Sequence, residues 1–200
     1  MLGIGIIAAV GPVLAFPALA QADPVTIKNP SFEDPAVPDG GFTIGSITDW
    51  ITSGVTGVLH PLTPFHFDFV PDGLQVRYSN GGSLSQVLDD TLQANTIYTL
   101  NVDVGKRSDC CQTPFSYSVQ LWAGDVLLVS DMDSVVPDPG SFATVTVTYT
   151  SSDSDPGLGQ PLQIVFSADG SVQTAFDNVL LDASPASVRA SAQPEPARIH

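Results

Sequence analysis

Basic residues, cysteine and helical periodicity are all scarce in this sequence, and each shortage excludes something. Six lysines and arginines stand against 21 acids over 200 residues, a formal net charge of −15. Phosphate recognition needs a basic footprint, so no nucleic-acid partner is expected. An anionic membrane surface is disfavoured for the same reason. Cysteine occurs only as the adjacent pair Cys110 and Cys111. No disulfide can therefore staple distant parts of the chain. A vicinal bridge is strained, because its Cα atoms sit only about 3.8 Å apart across a trans peptide. A structural zinc site wants four ligands at recognisable spacing, which this pair does not offer. Histidine is limited to His60, His66 and the terminal His200, and the first two read as loop residues. There is no Gly-x-Ser-x-Gly elbow, no His-Glu-x-x-His and no Gly-rich phosphate loop. Nothing singles out a carboxylate pair for glycoside hydrolysis.

What is present begins with an apolar run over residues 1–22 that ends in small residues. Ala18-Leu19-Ala20 and Ala20-Gln21-Ala22 both fit a signal-peptidase site. A membrane anchor is the competing reading, but Gly11, Pro12 and Pro17 interrupt the run. A signal peptide is expected, with a secreted or periplasmic protein and no stable membrane span after processing. The acidic balance serves solubility or supplies hard oxygen ligands to calcium.

Residues 23–183 read as one all-β domain. Tyr98, Leu100, Val102 and Val104 alternate with Thr99, Asn101 and Asp103. Residues 115–121 and 143–149 alternate in the same way. Such alternation puts one face on a core and one towards water. Further strands are expected at 25–29, 47–53, 74–79, 83–88, 126–129, 162–167 and 174–181. Asn80-Gly81-Gly82 reads as a hairpin turn between two of them, and Ala123-Gly124-Asp125 as another. About ten strands predict two packed sheets, an antiparallel β-sandwich of the jelly-roll type. Residues 184–200, rich in Ala, Ser, Pro and Arg, read as a disordered tail.

Asp177 is the most informative residue. Alternation places it with Val179 and Leu181, and Phe176 and Leu180 flank it on the other face. A carboxylate there is poorly hydrated. It must bind a cation, accept several hydrogen bonds or keep its proton. Glu33, after a Pro-Ser-Phe turn, is either a solvated turn residue or a calcium ligand. Trp50, Phe65, Tyr78 and Phe115 are core residues or the lining of an aromatic pocket.

Asn29-Pro30-Ser31-Phe32-Glu33, Asp49-Trp50, Val70-Pro71-Asp72-Gly73, Tyr78-Ser79-Asn80-Gly81-Gly82, Asp103-Val104-Gly105 and Phe176-Asp177-Asn178-Val179 together resemble the calcium-dependent Stig cyclases. The resemblance spans about residues 24–182. It implies a jelly roll akin to carbohydrate-binding modules, and calcium, for which Glu33 and Asp103 are the candidates. It implies Cope rearrangement and cationic cyclisation of an indole–isoprenoid isonitrile. Asp177 would be the acid, Tyr78 the polar pocket residue, and Trp50, Phe65, Phe115 and Tyr117 the lining. Tyr117 departs from the small residues that the family uses there. The implied partner is a small apolar aromatic substrate, with a homodimer also open. A secreted, non-catalytic module binding glycan, or a structural sandwich, is the alternative.

Overall fold

The computed structural model describes residues 21–110, 115–170 and 172–186, and those residues hold strands and no helix. The strands are β1 (Asp23–Pro24), β2 (Ile51–Leu59), β3 (Val76–Thr91), β4 (Thr96–Gly105) and β5 (Ser118–Ala123). They continue as β6 (Val126–Met132), β7 (Phe142–Thr150), β8 (Pro161–Ala168) and β9 (Thr174–Pro185). Every pairing is antiparallel, and the order is β6-β5-β8-β3-β9-β4-β7, with β2 beside β3 and β1 beside β9. The alternating runs at 98–104 and 143–149 fall where expected, in β4 and β7, whereas the run expected at 115–121 is a strand only from Ser118, in β5. Leu100, Val102 and Val104 of β4 meet Val145 and Val147 of β7 and Phe166 of β8 in one core. The fold is the antiparallel jelly-roll sandwich that the sequence predicts.

The Asn80-Gly81-Gly82 hairpin is not formed. β3 runs straight through it and changes sheets. Arg77, Tyr78 and Ser79 pair with β9, whereas residues 82–87 pair with β8. β2 turns the same corner alongside, with its register slipping between Gly54 and Thr56. Gly54, Gly81 and Gly82 all have positive φ, at 75°, 100° and 140°. A Cβ on Gly82 would collide with the Ser53 carbonyl oxygen, and one on Gly54 with that of Gly81. The glycines make a bend between two sheets because a second strand bends with them.

A further difference lies in β9. Simple alternation would place Asp177 with Val179 and Leu181. Instead Asn178 adopts φ 51°, and the pairing slips opposite Asn101 and Asp103. This bulge inserts one residue. Phe176, Val179 and Leu181 all enter the core, while Asp177 pairs with Asp103 on the opposite face. β9 also continues two residues beyond residue 183, because Ile97 and Thr96 pair with Ser184 and Pro185. The expected strand at 25–29 is reduced to β1 and one bond from the Val25 N–H to the Leu181 carbonyl, 2.8 Å. Residues 1–20 and 187–200, which carry most of the expected signal and tail, lie outside the described residues.

Candidate functional site

The outward face of the β9–β4 sheet is covered by residues 60–75. Phe67 and Val70 of that segment pack with Leu59, Val76, Tyr78, Ala175 and Phe142 in a second small core. Asp177 lies on this face, fully buried. Its Oδ2 accepts the Asp72 N–H at 3.0 Å and its Oδ1 accepts the Asn178 N–H at 2.8 Å. Burial raises its pKa to about 8, against these two hydrogen bonds, and the charges of Asp72 and Asp103 add to the rise. Burial thus favours the protonated form, whereas the two N–H donors favour the carboxylate.

The turn above Asp177 is held from its other side by Glu33. One Glu33 oxygen accepts the Leu74 and Gln75 N–H groups, each at 2.8 Å. Ser31 donates to the Asp72 carboxylate. Phe32, at φ 58°, makes this reach work locally. Its ring enters the core against Trp50, centroids 5.4 Å apart, and the next residue is turned out towards residue 74. Asp103 is tied to Asp177 through Asn178, which donates to both carboxyl groups. It accepts from Thr144 Oγ1 at 2.5 Å and from Asn178 Nδ2 at 2.9 Å.

Beside the second core lies an open cleft of about 260 Å³, lined by Phe42, Ile44, Val55, Leu59, Tyr78, Asn80, Arg107 and Gln173. Tyr78 donates its hydroxyl to the Thr43 carbonyl at 2.7 Å, and Phe42 meets its ring edge-on at 6.4 Å. The polar end is a chain of contacts. Arg107 makes a two-pronged pair with Asp109 at 2.8 and 2.7 Å and reaches Gln173 at 2.8 Å. Gln173 in turn donates to Asn80 at 3.2 Å. Hydrogen bonding from Arg107 holds the Asp109 carboxyl below the usual range, so the arginine's charge is matched.

The HpiC1 cyclase family matches residues 23–182. The chain belongs to the HpiC1-like cyclase family. The Stig cyclase Fisc from Fischerella sp. TAU, solved with (3Z)-3-(1-methyl-2-pyrrolidinylidene)-3H-indole, is 30% identical with TM-score 0.76, covering 84% of this chain and all of that one. A cyclase from Fischerella sp. TAU in complex with 4-(1H-indol-3-yl)butan-2-one matches over the same shares at 30% identity and TM-score 0.75. The carbohydrate-binding module TmCBM61, solved with β-1,4-galactotriose, is 15% identical with TM-score 0.51 over 78% of this chain and 97% of its own. It shares the fold. No curated protein matches.

Within this family member, the expected site residues are scattered. Tyr78 lines the cleft. Asp177 shares its sheet face but sits beyond Ala175 and Val76, under the 72–75 turn. Trp50 lies in the main core between Phe32 and Phe166. Tyr117 is buried there too and exchanges hydrogen bonds with the Val135 carbonyl and N–H at 3.1 and 3.0 Å. Phe115 packs on its edge. Phe65 is 61% exposed and leans on His66. Sequence reasoning missed Phe42, Ile44, Val55 and Gln173 as lining. The available signal was large apolar residues in a segment without alternation, and Phe42, Ile44 and Val55 are indeed exposed.

Calcium wants six to eight oxygen ligands. Glu33, Asp72 and Asp177 gather around one turn, where backbone N–H groups and the Ser31 hydroxyl already donate to their oxygens. Carboxylate oxygens are the donor type that a hard cation takes, but here N–H and O–H groups occupy them. The geometry is not closed, because among the described residues no three acidic or histidine side chains converge on one point. Glu33 and Asp103 share no hydrogen-bonding partner.

Proposed function

We propose that this chain is a cyclase of the Stig type. It would take an indole-bearing isoprenoid, promote its Cope rearrangement and close the product through a cation, in a fold braced by calcium beside the 72–75 turn. The observation that carries the reading is a fully buried carboxyl group, Asp177, whose pKa burial pushes up, on the same sheet face as the cleft tyrosine. Family membership and relatives solved with indole ligands support it.

The chain's own groups suit this chemistry. The Tyr78 hydroxyl donates to Thr43, so its oxygen remains an acceptor for an indole N–H. The faces of Tyr78 and Phe42 stabilise a passing cation through their quadrupoles. Arg107 does not oppose that cation, because Asp109 neutralises it. The apolar walls exclude water from one side of the ring. Protonation of the rearranged intermediate falls to Asp177, and it requires the 72–75 turn to lift and release the Asp72 N–H bond. Calcium would be held by Glu33, Asp72 and the backbone around them, where a hard cation ties the N-terminal segment to the turn.

A second reading of Asp177 is favoured by its placement. It does not line the cleft, and it clamps the turn. As a calcium ligand or structural clamp it would be ionised, since a cation beside it favours the charged form. The two roles exclude one another. Asp177→Asn, assayed with an indole–isoprenoid isonitrile, separates them. The acid reading expects lost turnover with an unchanged circular dichroism spectrum, and a wild-type rate that falls as pH rises through about 8. Normal turnover by the variant would leave Asp177 as a clamp.

A further inference from the structure

Arg77 stands in β3 with its side chain directed into the sandwich interior, and it is wholly buried. Its guanidinium carbon lies 4.6 Å from the centroid of the Phe176 ring. Phe176 in turn stacks on Phe166 of β8, centroids 5.3 Å apart and planes 14° from parallel. Nε donates to Thr56 Oγ1 at 3.0 Å, and that hydroxyl donates to the Tyr78 carbonyl at 2.6 Å. These contacts fix the head group. Among the described residues, Nη1 and Nη2 nevertheless have no hydrogen-bond partner, and neither has the hydroxyl of Ser79. Ser79 is two residues further on, on the same inward face, and it too is wholly buried.

The sequence offers 21 acids, yet none of the described ion pairs includes Arg77. The strands around it bring no acid to this face. β2 contributes Thr56 and Val58, β9 contributes Thr174 and Phe176, and β8 contributes Phe166. Asp177 and Asp103 belong to the opposite face. Burial lowers the Arg77 pKa only to about 9, so the group remains charged at neutral pH. A charge in this surrounding is costly unless an opposite charge meets it. With Nε occupied, the free Nη1 and Nη2 pair presents the end of the guanidinium, whose spacing matches the two oxygens of a carboxylate.

We propose that Arg77 and Ser79 form an anion site inside the sandwich that takes the carboxylate of a small organic acid. The site is independent of the cyclase reading, because Tyr78, the next residue, faces the cleft on the other side of the sheet. Thermal melts at constant ionic strength, with formate or acetate replacing a bulky sulfonate, test it. Wild type should show a saturable rise of about 3–5 °C at tenfold excess over Kd, and Arg77→Met none. Ser79→Ala should weaken formate binding several-fold. No rise in wild type, or an equal rise in Arg77→Met, would overturn the site. Should Arg77→Met fail to fold, an unchanged formate affinity in Ser79→Ala overturns it instead. Indole-3-acetate distinguishes the source. An equal, Arg77-dependent rise assigns the carboxylate to an aromatic acid, and a response to formate and acetate alone assigns it to a free small acid.

Discussion

On the proton-donor reading, Asp177→Asn should gain stability relative to wild type as pH rises. The folded state holds the Asp177 proton up to about pH 8, whereas the unfolded chain releases it near 3.8. Between those values the folded state binds more protons, so its stability falls as pH rises. The loss starts near pH 4, continues through pH 8 and then levels off. Each pH unit in the window costs about 1.4 kcal/mol, which gives a ceiling of about 5–6 kcal/mol across it. Asparagine keeps one oxygen to accept an N–H, but its amide NH2 faces the second N–H, donor against donor, so the variant carries a pH-independent cost of about 1–3 kcal/mol. Near pH 4 the variant should therefore be the less stable by that amount. Urea unfolding of both proteins at pH 4.5, 6 and 7.5, in chelator, gives the comparison. The difference in unfolding free energy should move in the variant's favour by about 1 kcal/mol per pH unit. A difference that stays constant with pH, or that moves in the wild type's favour, would mean that Asp177 is ionised in the fold, and the proton-donor role would be lost with it.

Gly82→Ala should destabilise by several kcal/mol, because the added Cβ meets the Ser53 carbonyl and the backbone has φ 140°; a change in Tm below about 2 °C would contradict the bend between sheets. Phe176→Ala removes a wholly buried ring and should cost about 3–5 kcal/mol in urea unfolding. Tyr78→Phe gives up the bond to Thr43; it should cost about 1 kcal/mol of stability and raise KM for an indole substrate, and unaltered kinetics would remove Tyr78 from the site. Calcium added to chelator-treated protein should raise Tm, whereas an unchanged melt would remove calcium from the proposal; a flattened Asp177-dependent pH slope in calcium would assign Asp177 to the cation and remove it as the acid.

The parts of the fold legible beforehand are the strands with one wet face. β4, β7 and β8 begin and end within two residues of expectation, because alternation reports a half-buried sheet directly. Glycine misled at the corner. Asn-Gly-Gly has the backbone freedom of a hairpin, and whether it reverses or bends a strand depends on the strand beside it. The site was less legible. Tyr78 reaches the cleft, but Trp50 and Tyr117 are absorbed into the core, since an aromatic residue at a buried position carries the same pattern whether it packs or lines a pocket. Phe42, Ile44 and Val55 lie where no periodicity marks them.

From the amino acids alone came the all-β class, the acidic surface, the family resemblance and the singling out of Asp177 as a carboxyl group in apolar company. Composition and alternation are local properties, and they carry that far. Tertiary structure decided which face Asp177 occupies, through a one-residue bulge at Asn178 that reverses the alternation. It also left Arg77 without an acid inside the sandwich. Both outcomes depend on which strands become neighbours, and that is a property of the whole chain's pairing.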